Sequence, residues 1–264
     1  MAAFTAQVVG LLLALVLLAL AQEPAPPTEA LALAALGGAL GALGVGCFYL
    51  ALARGTMGLV APLTALIAAT IPAVVGIASG AHVAMLTLAG MLVAFVAVVL
   101  IALPDRRLGT PVLATFHRSR LWEWALIVLA GLGFAGFFLA VDRSNLAGGE
   151  VWWTLVMVKV AGVAAVGLAG LVIVGVRRAS RARLLRAGLL VAFLAGVGDL
   201  GGNLFFVLAS GMGDLAVIVV LSSLYPVSTA ILARIVLHER LGPVRMAGVA
   251  LAIGGVVLIG VGSL

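Results

Sequence analysis

Long uncharged apolar runs fill this chain almost from end to end, and nothing else limits its fold as strongly. Residues 86–103 and 126–141 carry no charge, and residues 244–261 carry only Arg245. A helix rises about 1.5 Å per residue, so about twenty apolar residues cross a hydrocarbon core of roughly 30 Å. Of the 264 residues, 65% are hydrophobic and only 9% are charged, too few charges to cover a water-soluble domain of this length. The chain reads as an all-α integral membrane protein whose loops are too short to hold a separate soluble domain.

Nine spans are expected, near 4–21, 31–53, 57–78, 84–103, 121–141, 151–176, 186–209, 214–236 and 244–262. Backbone in lipid must satisfy its own hydrogen bonds, so each span reads as helix. The short alternating segments of a membrane barrel are absent from the sequence. Residues 1–21 also resemble a secretory leader, but they lack its basic start.

The net charge of +6 does not point to nucleic acid, because the arginines sit in short loops between spans. Twelve of them fall in loops on one side: Arg54, Arg106, Arg107, Arg118, Arg120, Arg177, Arg178, Arg181, Arg183, Arg186, Arg240 and Arg245. The other side has only Arg143, so the first set is expected in the cytoplasm. Fourteen Arg against one Lys fits a GC-rich bacterial genome, and hence a bacterial plasma membrane. Cys47 is the only cysteine, so no internal disulfide forms. His82, His117 and His238 have no clustered carboxylates or thiols near them in sequence, so no metal is expected. Neither is a nucleotide or other cofactor, since there is no phosphate-binding loop.

The sequence also repeats itself at an offset of 158. Phe48 pairs with Phe206, Gly90 with Gly248 and Ala94 with Ala252, and residues 98–101 match residues 256–259 letter for letter. The register holds across several spans without a gap, which composition bias alone does not explain. Span 121–141 maps to a position before residue 1 and has no mate. Two domains follow: 1–104 as a first repeat of four spans, apparently lacking its first helix, and 121–264 as a second repeat of five. Five is odd, so the repeats are inverted in the bilayer, a recurring design of secondary transporters. Span 121–141 is expected to pack on its own half.

Few residues carry chemistry. Asp199 lies near the middle of a span, where a charge costs at least about 2.5–3.5 kcal/mol. It either lines a cavity, binding substrate or a proton, or ties helices together. Asn203 is one turn away on the same face. Lys159, the lone lysine, either faces the cavity or snorkels to an interface. Ser222, Ser223 and Tyr225 give one span an unusual polarity, Thr64 stands in the paired first-half span, and Tyr49 is a further cavity candidate. Pro62, Pro72 and Pro226 each remove a backbone donor within a span. Gly37/Gly41 and Gly198/Gly202 are expected at close helix contacts. Gly196-Val197-Gly198-Asp199 also fits the Gly-x-Gly-Asp pattern of intramembrane aspartyl proteases, though no second aspartate lies in mid-span to complete a dyad.

Residues 201–206 (Gly-Gly-Asn-Leu-Phe-Phe), 221–226 (Leu-Ser-Ser-Leu-Tyr-Pro), 238–241 (His-Glu-Arg-Leu) and 248–256 resemble the EamA family of the drug/metabolite transporter superfamily. Residues 60–66 (Val-Ala-Pro-Leu-Thr-Ala-Leu) resemble the corresponding first-half run. The resemblance implies ten helices in two inverted five-helix repeats and export of small metabolites or drugs. It also implies a basic residue near the place of Lys159. This chain departs from the family pattern at Gly80-Ala81-His82, where the family has Gly-Glu-Arg, in its span count, and in the side its charges assign to the C-terminus. The expected function is a secondary transporter of small molecules working by alternating access in the lipid bilayer, with proton or ion coupling. The other readings are a non-transporting receptor or assembly subunit and, more remotely, the protease.

Overall fold

The computed structural model of the chain describes residues 2–54, 57–80, 83–102, 121–176, 186–225, 227, 228, 231, 235 and 242–262. The Arg-rich segments 103–120 and 177–185 lie outside the described residues, as do His82, Pro226, Arg234 and His238.

Among the described residues every regular element is a helix. They are α1 (Ala2–Ala21), α2 (Thr28–Arg54), α3 (Met57–Ala78), α4 (Met85–Ala102) and α5 (Leu121–Leu146). Then come α6 (Val151–Val176), α7 (Arg186–Ser210), α8 (Leu215–Ser222) and α9 (Pro243–Gly262). Seven are long and apolar enough to cross a bilayer, and α4 carries a shorter apolar stretch, Met85–Ile101. The chain is a multi-pass membrane protein. Three of the helices stop at a left-handed residue: Gln22 (φ 52°) after α1, Gly80 (φ 97°) after α3 and Gly148 (φ 83°) after α5.

Two compact units form. The first is Met1–Leu43 with Gly136–Met212, the second Gly44–Ala135 with Gly213–Leu264. Each takes segments from both sequence halves, and α2 and α5 contribute one end to each.

In the first unit α1 packs on α6 and α7. Small residues make the contacts close: a Cβ on Gly196 of α7 would lie 2.6 Å from the Ala6 carbonyl oxygen of α1, and one on Gly38 of α2 would lie 2.7 Å from Val158 Cα of α6. Phe206 of α7 meets the rings of Phe137 and Phe138 of α5 at 5.7 and 4.6 Å between centroids.

In the second unit α4 packs along α9 and α3 along α8, with Met91, Val98, Val220 and Ile259 in the core. A smaller cluster joins Ala51 and Val60 to Leu126 and Ile127. Span 121–141 was expected on its own sequence half. In this unit the α5 segment packs on α2 and α3 of the first half, while in the first unit its Phe137 and Phe138 meet Phe206 of its own half. The cause is shape: Gly44 leaves room for Phe134, whose backbone nitrogen would lie 3.1 Å from a Cβ there, and Gly131 leaves room for Ile67.

The offset of 158 reappears in the packing. The pairs α1/α6, α3/α8 and α4/α9 each join segments that the offset relates, and each pair is in contact. At the α4/α9 crossing the atoms exchange as well. A Cβ on Gly90 would lie 2.8 Å from Gly255 O and from Ile259 N. A Cβ on its mate Gly248 would lie 3.1 Å from Ala97 O and 3.0 Å from Ile101 N. Residues 97 and 101 are the offset mates of 255 and 259.

Candidate functional site

The first unit buries a charge at membrane depth. Lys159, in α6, is 1% exposed, and its Nζ donates to Asp199 Oδ2 of α7. The side chain therefore does not snorkel. α1 closes over its stem: a Cβ on Gly10 would lie 3.2 Å from Lys159 Cε and 3.5 Å from the Gly196 carbonyl oxygen. An ammonium taken out of water without a partner costs several kcal/mol, and the carboxylate offsets that cost. The pair is lopsided, because the Asp199 side chain is 42% exposed. Whatever reaches the pair arrives at the carboxylate, which suits a proton or a hydrogen-bond donor. Asn203, half-buried, stands one turn along the same face of α7.

Of the candidate residues in the second unit, Thr64 lies on α3, Ser222, Ser223 and Tyr225 at and just beyond the end of α8, and Tyr49 on α2. Tyr225 donates its hydroxyl to the Ala61 carbonyl oxygen at 3.1 Å. Thr64 is fully buried, and its Oγ1 has no hydrogen-bond partner among the described residues. Ser223 bonds back to Val220 O at 2.7 Å and Thr70 to Leu66 O at 2.7 Å, the ordinary satisfaction of a hydroxyl within its own helix. Ser222 is half-buried, and Tyr49 is 58% exposed, its ring 6.0 Å from that of Phe48.

Hydrogen bonds also tie the first unit together where α1 ends and α6 begins. The carboxylate of Glu23 accepts from the Trp152 amide at 2.9 Å, and its carbonyl accepts from Trp153 Nε1 at 3.2 Å. Ser144 donates to Ala30 O at 2.8 Å. Asn145 Nδ2 donates to Val207 O at 3.0 Å and to Ser210 Oγ at 2.6 Å. In the sequence these residues read only as span ends, although a Ser-Asn pair closing an apolar run is the kind of signal that announces such bonds.

Residues 121–261, more than half of the chain, match the model of the EamA-like transporter family. The chain belongs to that family. No curated protein matches the sequence significantly. A protein solved by crystallography superposes on 98% of this chain and 95% of its own with a TM-score of 0.65. At 17% identity that likeness speaks for the fold alone. EamA members are transporters rather than enzymes. In keeping with that, the partner of Asp199 is an ammonium, not the second carboxyl that an aspartyl protease needs.

Proposed function

We propose that this chain is a secondary transporter of small metabolites or drugs, working by alternating access across the bacterial plasma membrane without a nucleotide. Its two inverted repeats are residues 1–104 and 121–264. The family match and the exchanged contacts of Gly90 and Gly248 support that architecture.

The Lys159–Asp199 pair carries the reading. An ionisable pair inside a membrane bundle marks a substrate or proton path by default. Asp199, with Asn203 beside it, takes the substrate or the coupling proton, and Lys159 holds the carboxylate in place. Thr64, Ser222, Ser223, Tyr225 and Tyr49 complete the candidate binding set.

A thermal-shift screen of metabolites on purified protein supplies test solutes, since a ligand of the native state raises its stability. Flux of those solutes into proteoliposomes then tests transport. Asp199→Asn should abolish flux while the variant still elutes as folded protein. No solute moving faster than in protein-free vesicles would end the transport reading and favour a receptor or assembly subunit.

A further inference from the structure

The seam between α1 and α6 holds a second polar side chain beside Lys159. Three contacts set the two helices antiparallel there: Gly10 lies against Lys159, Gln7 against Gly162 and Phe4 against Gly167. Gln7 and Gly10 are one turn apart on one face of α1, as Lys159 and Gly162 are on α6. Each helix thus opposes a glycine to the other's long polar side chain. A Cβ on Gly10 would lie 3.2 Å from Lys159 Cε, and one on Gly162 would lie 3.2 Å from Gln7 Oε1 and 3.8 Å from Gln7 Nε2. Gln7 is half-buried in an apolar span, and its amide has no hydrogen-bond partner among the described residues. An amide held at membrane depth without a partner is costly, and nothing in the resting pair uses it.

We propose that Gln7 is a positioning residue, the second seat of the Lys159 ammonium. When a proton or a substrate donor occupies the Asp199 carboxylate, the ammonium moves to the Gln7 amide oxygen. The inference rests on the proposed function in one respect: Asp199 is the group that becomes occupied. An ammonium that is 1% exposed needs an acceptor in both states. Few are at hand. The only other charged side chains of α1, α6, α7 and of α2, which meets Val158 through Gly38, are Arg186, Glu29 and Arg54, each within a turn of its helix end. Asn203 stands beside Asp199 on α7, whereas Gln7 stands on the seam that encloses the lysine stem. One helical turn is about 4.5–5.4 Å along that seam, within the swing of a flexible four-carbon stem. Gly10 carries no side chain to block the swing, and an amide accepts as readily as it donates. The handover frees the carboxylate for its ligand while the positive charge stays inside the protein.

The test is a mutant cycle on the full chain in mixed micelles, unfolded by sodium dodecyl sulfate and read by tryptophan fluorescence. Asp199→Leu stands for the occupied carboxylate, because it takes the first acceptor away. With Asp199 present, Gln7→Leu should leave the unfolding constant within about threefold of the parent. In the Asp199→Leu background the same change should raise it about tenfold or more, because the ammonium then loses its second seat. Gln7→Glu should rescue Asp199→Leu by about tenfold or more, since it sets a counter-charge at that seat. If Asp199→Leu does not fold, Asp199→Asn serves as the background. An equal effect of Gln7→Leu in both backgrounds makes Gln7 a packing residue and overturns the proposal. So does failure of Gln7→Glu to rescue. So does a background-dependent loss from Asn203→Leu with none from Gln7→Leu, which would seat the ammonium on α7. None of these readouts involves a solute, so the transport reading stands or falls separately, on flux into proteoliposomes.

Discussion

The unequal exposure of the ion pair makes the effect of breaking it depend on which partner is removed. Asp199→Leu leaves an ammonium that is 1% exposed and enclosed by α1, with no counter-charge. Stranding a buried charge costs about 3–5 kcal/mol, and the lower end, about 3, is the expected loss of stability here. Lys159→Met leaves instead a carboxylate whose side chain is 42% exposed. On the proposed reading its flank lines a water-filled cavity, where the carboxylate keeps polar contacts, so the loss should be only about 1 kcal/mol. Replacing both by Lys159→Met with Asp199→Leu removes every charge and should cost about 1 kcal/mol, leaving a coupling energy of about 3 kcal/mol. Unfolding by sodium dodecyl sulfate in mixed micelles, followed through the fluorescence of Trp122, Trp124, Trp152 and Trp153, reads all four proteins on one scale. The reasoning fails if Lys159→Met costs as much as Asp199→Leu, or if the double variant shows the sum of the single losses.

The repeat makes a prediction of its own: Gly90→Ala and Gly248→Ala should lose similar stability, about 1–3 kcal/mol each, because their added methyl groups meet mated atoms. Gly46→Ala and Gly170→Ala, where a Cβ meets nothing within 4 Å, should be neutral or stabilising by up to about 1 kcal/mol. A large loss at one of Gly90 and Gly248 without the other would contradict the exchanged contacts. Glu23→Ala should cost about 1 kcal/mol by removing the acceptor at the start of α6, whereas Glu23→Gln should keep most of it; equal losses would show that the carboxyl contact to Trp152 does not matter. The arginine asymmetry predicts the loop after Arg183 in the cytoplasm and the stretch Ser144–Gly149 outside. Reporter fusions at the two places should report opposite sides, and labelling of the Arg-rich loop from outside intact cells would contradict this.

Helix positions were legible because in lipid an apolar run of sufficient length has one way to satisfy its backbone. The expected span 31–53 lies within Thr28–Arg54, and 57–78 coincides with Met57–Ala78. The ion pair was half legible. Asp199 and Lys159 each stand out as mid-span charges, but nothing in their spacing of forty residues says that they meet. That required knowing that α6 and α7 lie together under α1. Partners are the general difficulty. Gly37/Gly41 and Gly198/Gly202 have the same spacing and the same apolar surroundings, so sequence treats them alike. In the structure a Cβ on the first pair would meet Val141 and Phe137, and one on the second would meet nothing within 4 Å among the described residues. A glycine spacing records that a backbone can approach closely; it does not record which helix arrives. The same gap applies to α5, whose aromatic residues meet Gly41 and Gly44 of the first sequence half as well as Phe206 of its own. It also gives Asp199 its double character. Its bond to Lys159 belongs to the folded unit, while its open flank leaves the carboxylate, not the enclosed ammonium, as the end of the pair that can be reached.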